Sequence, residues 1–160
     1  MIKKVLTMGE TLIRLNFNPD DLYDGNKIEY FFGGDALNVA SILGINGNKT
    51  YYLSALNEKS LFTKKLKLFM NSNLVKSQFV YQNSYKLGKY FYSPINPDNS
   101  SKVEYDRTNT CFSNLDLDQN ELNKINDKNF DLIHLSGISL AINPELVLKI
   151  TKSLNNSNSL

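Results

Sequence analysis

The feature that most constrains what this chain can fold into is a glycine pair set directly before an amphipathic run, Gly33-Gly34-Asp35-Ala36-Leu37-Asn38-Val39-Ala40-Ser41. It predicts a strand-to-helix turn built for close approach. Glycine tolerates positive φ and has no Cβ, so a ligand or another backbone can lie against it. Asp35 is predicted as the helix N-cap, with Asn38 in the first turn. Ala36 and Ala40, four apart, let one face of the helix press tightly onto a sheet. These residues alone fit two readings: a polyol or sugar site at a helix start, and an ordinary tight turn.

Around that turn the apolar pattern switches between strand and helix. Residues 2–8 predict a short buried strand closing on Gly9-Glu10. Residues 11–17 alternate, with Ile13, Leu15 and Phe17 on one face and Arg14 and Asn16 on the other. Turns at 18–21 and 24–26 lead to a strand over 27–32 carrying Ile28, Tyr30 and Phe32 on one side. The helix from Asp35 should end near Gly44, and Asn46-Gly47-Asn48 should turn the chain into a strand over 50–55. Residues 57–60 cap a second helix, with Phe62, Leu66 and Phe69 on its apolar stripe and Lys64, Lys65 and Lys67 on a solvated face. This order predicts an α/β fold with a mainly parallel sheet.

Strand-like stretches at 86–92 and 102–109 are joined by loop chemistry over 93–99. With the early strands they predict a small separate sheet. Residues 116–128 are polar and weakly periodic, a short helix or a loop. Residues 130–136 predict a buried strand through Leu132, Ile133 and Leu135. Asn143-Pro144-Glu145 supplies the cap, first-turn proline and acid that open a last helix, whose core stripe is Leu146, Val147, Ile150 and Leu154. The Asn/Ser-rich end over 155–159 should fray.

At 160 residues the chain is one domain's worth of sequence, long enough for a real core. A net charge of +2 with scattered lysines argues against a nucleic-acid partner, and no apolar run approaches the ~20 residues of a membrane span. The single cysteine, Cys111, rules out an intrachain disulfide and is expected to be a buried thiol. His134, the one histidine, lies mid-strand between Ile133 and Leu135 and is expected to be structural, so no metal site is predicted. The start of the chain has no secretory apolar stretch, which makes a cytoplasmic protein the expectation.

One further constellation carries chemistry. On a strand, Tyr105 and Arg107 share a face while Asp106 points away, and Tyr90 and Tyr92 share a face on the neighbouring strand. A guanidinium flanked by phenols suits a small ligand bearing a carboxylate, which arginine grips through two parallel hydrogen bonds. Cross-strand packing of aromatics beside an exposed arginine is the other reading. Glu10 ends the first strand, at the crevice position where α/β sheets place ligands.

Residues 33–40 resemble the first sugar-binding signature of the ribokinase-like (PfkB) carbohydrate kinases, with Gly9-Glu10 upstream and Ser136-Gly137-Ile138-Ser139-Leu140-Ala141 downstream in the family's order. Lys86-Leu87-Gly88-Lys89-Tyr90-Phe91 is similar to the family's Gly-x-Tyr element, and residues 101–107 to its second substrate-contacting strand. The likeness is greatest to members that act on the sugar acid 2-keto-3-deoxygluconate. It implies a ribokinase-like fold in which residues 1–160 correspond to an N-terminal half, with lid strands near 11–32 and 86–109 inserted in the α/β core. It implies sugar-acid contacts from Gly33, Gly34, Tyr90, Tyr105 and Arg107, with Asn38 nearby. Asp35 would shape the turn and bind a hydroxyl, and Glu10 stands where ribokinase has a hydroxyl-binding aspartate. It also implies ATP and Mg2+ as the kinase's cofactors, and a homodimer formed through the lids.

The chain departs from that pattern in two places. Residues 56–62 hold neither glycine of the family's Gly-x-Asp-x-x-Gly turn. The family's later Asn-Tyr-Arg strand, nucleotide pocket and Gly-Ala-Gly-Asp segment do not occur either. No catalytic residue is therefore expected within these 160 residues, ATP and Mg2+ should bind poorly, and a sheet edge should stand unpaired. Two functions follow: the sugar-binding half of a sugar-acid kinase, with fructokinase as the neighbouring alternative, or a non-catalytic module that binds a sugar acid or a partner.

Overall fold

The computed structural model describes residues 1–16, 28–94 and 100–157. The turns predicted at 18–21 and 24–26, the middle of the 93–99 loop and the last residues of the predicted fray lie outside them.

The elements run β1 (Lys4–Met8), β2 (Leu12–Asn16), β3 (Glu29–Gly33), α1 (Asp35–Ile45), β4 (Lys49–Asn57), α2 (Leu61–Ser72), β5 (Val75–Asn83), β6 (Gly88–Ser93), β7 (Lys102–Asp106), α3 (Gln119–Asn126), β8 (Leu132–Leu135), α4 (Gly137–Ile142) and α5 (Pro144–Ser157). They build two sheets. The first has the order β5-β4-β1-β8, and all its pairings are parallel. Parallel neighbours need crossover connections, and α1 and α2 provide them between β1, β4 and β5. The second sheet, β3-β2-β6-β7, is antiparallel at both edges and parallel between β2 and β6. The chain enters it twice, after β1 and after β5, so the small sheet grows out of the C-terminal ends of two core strands that flank β4.

The core lies between the parallel sheet and its helices. Leu6, Met8, Tyr52, Leu53 and Leu56 from the strands meet Leu37, Leu66, Met70, Leu146 and Ile150 from the helices, all buried. Each such side chain contributes about 1.5–3 kcal/mol of transfer free energy. The predicted stripe of α5, Leu146, Val147, Ile150 and Leu154, is buried throughout. Asn143 locks that helix in place. Its amide donates to the carbonyl oxygens of Phe112 (2.9 Å) and Leu115 (2.8 Å), and its oxygen accepts from the Leu146 N–H. Residues 116–128 resolve into α3, opened by a capping box between Asp118 and Glu121.

Three expectations need correction. Strand β5 continues for nine residues where no strand was predicted, because its inward residues, Val75 and Phe79, are spaced among polar ones. Strand β8 is not buried: Leu132 is 52% and Leu135 38% exposed. It is an edge, with β1 as its only partner among the described residues. Asp35 is not the N-cap. Gly34 takes that position at φ +117°, without a side-chain cap, and Asp35 becomes the first helical residue. The tight turn demands a backbone angle that aspartate adopts only at a cost, so the cap falls one residue earlier.

Candidate functional site

The site starts from the chain that leaves β1. Gly9, Glu10 and Thr11 cross from the core to the small sheet over a buried polar network. The Tyr52 hydroxyl donates to the Gly9 carbonyl (2.9 Å) and bonds the Thr11 hydroxyl (3.0 Å), which in turn reaches Ser54 (3.4 Å). Burial pushes the Tyr52 phenol far above its ordinary range, so it stays a neutral donor. Ser139 donates to the Met8 carbonyl (2.9 Å) from the other side. A Cβ on Gly9 would come within 2.7 Å of that serine oxygen and 2.8 Å of the Ala36 methyl. Helices α1 and α4 therefore close on the crossing point.

Glu10 is the buried centre of this floor, with its side chain 3% exposed. A Cβ on Gly34 would overlap the Glu10 carbonyl oxygen, and one on Gly88 would lie 2.8 Å from Oε1. The Nε and Nη2 of Arg107 both donate to Glu10 Oε2, at 3.0 and 2.7 Å. Oε1 is buried and takes no hydrogen bond from the described residues. The pair thus offers one unused acceptor and the remaining guanidinium donors, with Arg107 24% exposed.

The small sheet supplies the opposite wall. Its register sets Phe31, Arg14, Tyr90 and Tyr105 in one row across all four strands. Tyr90 and Tyr105 pack ring to ring at 5.5 Å, and the Arg107 guanidinium lies 5.3 Å from the Tyr105 centroid. On the opposite face, Asp106 pairs with Lys86 and Lys89, which hold its carboxyl below the usual range. The faces assigned to Tyr105, Arg107 and Asp106 from strand alternation are the observed ones.

Between floor and wall lies a cleft of about 420 Å3. Glu10, Gly34, Asp35, Asn38, Tyr90, Tyr105 and Arg107 all line it. Gly33 sits at its edge, where a Cβ would be 3.8 Å from Asn38 Oδ1 and 4.0 Å from the Tyr90 hydroxyl. Residues from four separate stretches thus converge on one hollow. Arg14, Tyr92, Ser136 and Ser139 also line it; the sequence names Tyr92 and the two serines within its motifs but assigns none of the four a ligand contact. Alternation put Arg14 on the face opposite Ile13, but nothing local told which face meets the cleft. Cys111 and His134 lie outside it. The Cys111 thiol donates to the Tyr85 carbonyl (2.9 Å), and burial raises its pKa to about 12.

Among the described residues no group of three His, Cys, Asp or Glu side chains could hold a metal ion. The donor set of the cleft, two carboxylates with hydroxyls and guanidinium groups, suits a polar organic ligand. It does not fit Mg2+ with a nucleotide. No helix among the described residues is long and apolar enough to cross a membrane.

Comparison with known proteins agrees on the family. No curated protein matches the chain. Among solved structures, it resembles the 2-dehydro-3-deoxygluconokinase of Thermotoga maritima at 26% identity and a TM-score of 0.81, over 98% of this chain and 48% of that one. A PfkB family carbohydrate kinase of Listeria grayi matches at 23% identity and a TM-score of 0.81, over 97% of this chain and 48% of that one. The ATP-bound fructokinase of Xylella fastidiosa shares the fold at 15% identity and a TM-score of 0.75, over 98% and 47%. The chain spans about half the length of these proteins. The pfkB family carbohydrate kinase model matches residues 2–159, and with that match over nearly the whole chain the protein belongs to the PfkB family of carbohydrate kinases.

Proposed function

We propose that the cleft binds a sugar acid, 2-keto-3-deoxygluconate, and that this chain corresponds to the sugar-binding half of a kinase that phosphorylates it to the 6-phosphate. PfkB kinases use ATP and a divalent metal. The residues described here fit neither group, so no step through them is derived from this chain. What they do is bind, orient and exclude water. The observation that carries the reading is the convergence of Gly34, Asn38, Tyr90, Tyr105 and the Glu10–Arg107 pair on one cleft. Arg107 would donate to the carboxylate, the two tyrosine hydroxyls to the sugar oxygens, and Glu10 Oε1 would accept from a hydroxyl. The small sheet acts as the lid, and pairing of two lids in a homodimer belongs to the same proposal.

A second reading rests on a specific contact. Glu10 balances the charge of Arg107, which also suits a neutral sugar such as fructose. Calorimetric titration of the chain with 2-keto-3-deoxygluconate and with fructose separates the two. The sugar acid should bind the more tightly, and Arg107→Ala should weaken it by about tenfold to a hundredfold, the worth of a hydrogen bond to a charged group. Unchanged affinity in that variant, or tighter binding of fructose by the unaltered chain, would point to the neutral sugar.

A further inference from the structure

Among the described residues four charged side chains line the cleft, and three are accounted for. Glu10 and Arg107 satisfy one another. Asp35 stands in the first turn of α1, where the helix dipole favours a negative charge. The fourth, Arg14, projects from the middle of β2, beside Tyr90 in register and two strands from Tyr105.

Arg14 forms no ion pair with any of the described residues. Its Nε donates to the neutral amide oxygen of Asn16 at 2.6 Å. Its guanidinium carbon lies 4.2 Å from the Tyr92 ring centroid and 5.5 Å from that of Phe31. A planar cation stacked on rings and tied through Nε is fixed in direction, and no carboxylate among the described residues pairs with it. Its terminal N–H groups are the donors that a carboxylate takes in pairs.

We propose that Arg14 is a specificity-determining residue: it supplies the positive charge, unpaired among the described residues, by which the cleft selects a monosaccharide bearing a carboxylate over a neutral one. This rests on the sugar-acid reading above and deepens it. Arg107, its charge balanced by Glu10, serves as a directional donor, while Arg14 distinguishes charge from no charge. The orientation devices are neutral, Asn16 and two rings, so they hold the guanidinium without cancelling it.

The test is calorimetric titration of the 160-residue chain with 2-keto-3-deoxygluconate and with fructose, at low and at moderate salt. The unaltered chain should prefer the acid, and that preference should weaken with salt. Arg14→Gln should shrink the acid-over-fructose ratio about tenfold to a hundredfold and flatten its salt dependence. Far-UV circular dichroism reports whether the variant folds. Should it not, Arg14→Met keeps an apolar contact with Tyr92 and is expected to give the same loss of ratio. A folded variant whose ratio and salt dependence match the unaltered chain overturns this inference and leaves the sugar-acid reading standing. Failure of the unaltered chain to prefer the acid overturns both.

Discussion

The two walls of the cleft are built on different principles. On the floor, Glu10, Gly34, Gly88, Gly9 and Ser139 interlock so closely that an added methyl group on any of the three glycines meets an atom already present. On the lid wall, Phe31 and Tyr105 are exposed, Tyr105 by 57%, and Arg14, Tyr90 and Tyr92 are half-buried. Substitutions on the floor therefore act first on folding, and those on the lid act first on binding. Both walls line the cleft proposed to hold the ligand, but the floor is the one packed tightly into the fold.

The sharpest way to break that distinction is within the glycine pair itself. Gly34→Ala forces a Cβ into the Glu10 carbonyl oxygen at a residue held at φ +117°. Backbone strain and overpacking together should cost about 2–4 kcal/mol. For a domain of this length that lowers Tm by ~10 °C. Thermal melting of the variant measures it, and a Tm within a degree of the unaltered chain would show that the floor yields more easily than its packing implies.

Gly33→Ala should behave in the opposite way. Its Cβ would meet Asn38 Oδ1 and the Tyr90 hydroxyl at ordinary contact distances, 3.8 and 4.0 Å, with no positive φ to strain. Stability should change by less than about 1 kcal/mol, since alanine also restricts the unfolded chain. The new methyl group would nonetheless occupy the gap between Asn38 and Tyr90, so sugar-acid binding should weaken by about tenfold. Gly33 would then be bare for the ligand and Gly34 for the fold. Equal losses of stability in both variants would erase the difference.

Much of this was legible in the sequence, for reasons that can be named. The strand-to-helix turn, the amphipathic stripe of α5 and the shared face of Tyr105 and Arg107 follow from local periodicity, and each is observed. The Glu10–Arg107 pair was not legible, because its partners are 97 residues apart and meet only when β7 returns across the floor. Arg14 was passed over for a related reason: alternation assigns a residue to a face, but the pairing of β2 with β6 decides what that face looks at. Strand β8 misled in the other direction. An apolar run reads as buried whether its sheet continues or stops, and here β8 is an edge.

The smallest expected effect tests the packed side of the comparison from its root. Cys111 joins the two legs of the lid. Its thiol donates to the Tyr85 carbonyl just before β6, and its own carbonyl accepts from the Asn83 side chain after β7 has returned. Burial raises this thiol from an ordinary 9.0 to about 12 and the Tyr81 phenol from 10.0 to about 12, and it moves the Tyr52 phenol in the same direction. All three groups are neutral when protonated. Between pH 9 and about 12 the unfolded chain gives up these protons while the folded chain keeps them, so the unfolded state binds fewer protons and stability falls as pH rises. Below pH 9 their contribution is fully present. Urea midpoints should thus hold steady from pH 7 to 8.5 and decline above 9, and a thiol reagent at pH 8 should react with Cys111 only as the protein unfolds. Rapid labelling of the folded chain at pH 8 would mean that the root of the lid opens freely, and that the floor and the lid are less different than their packing makes them.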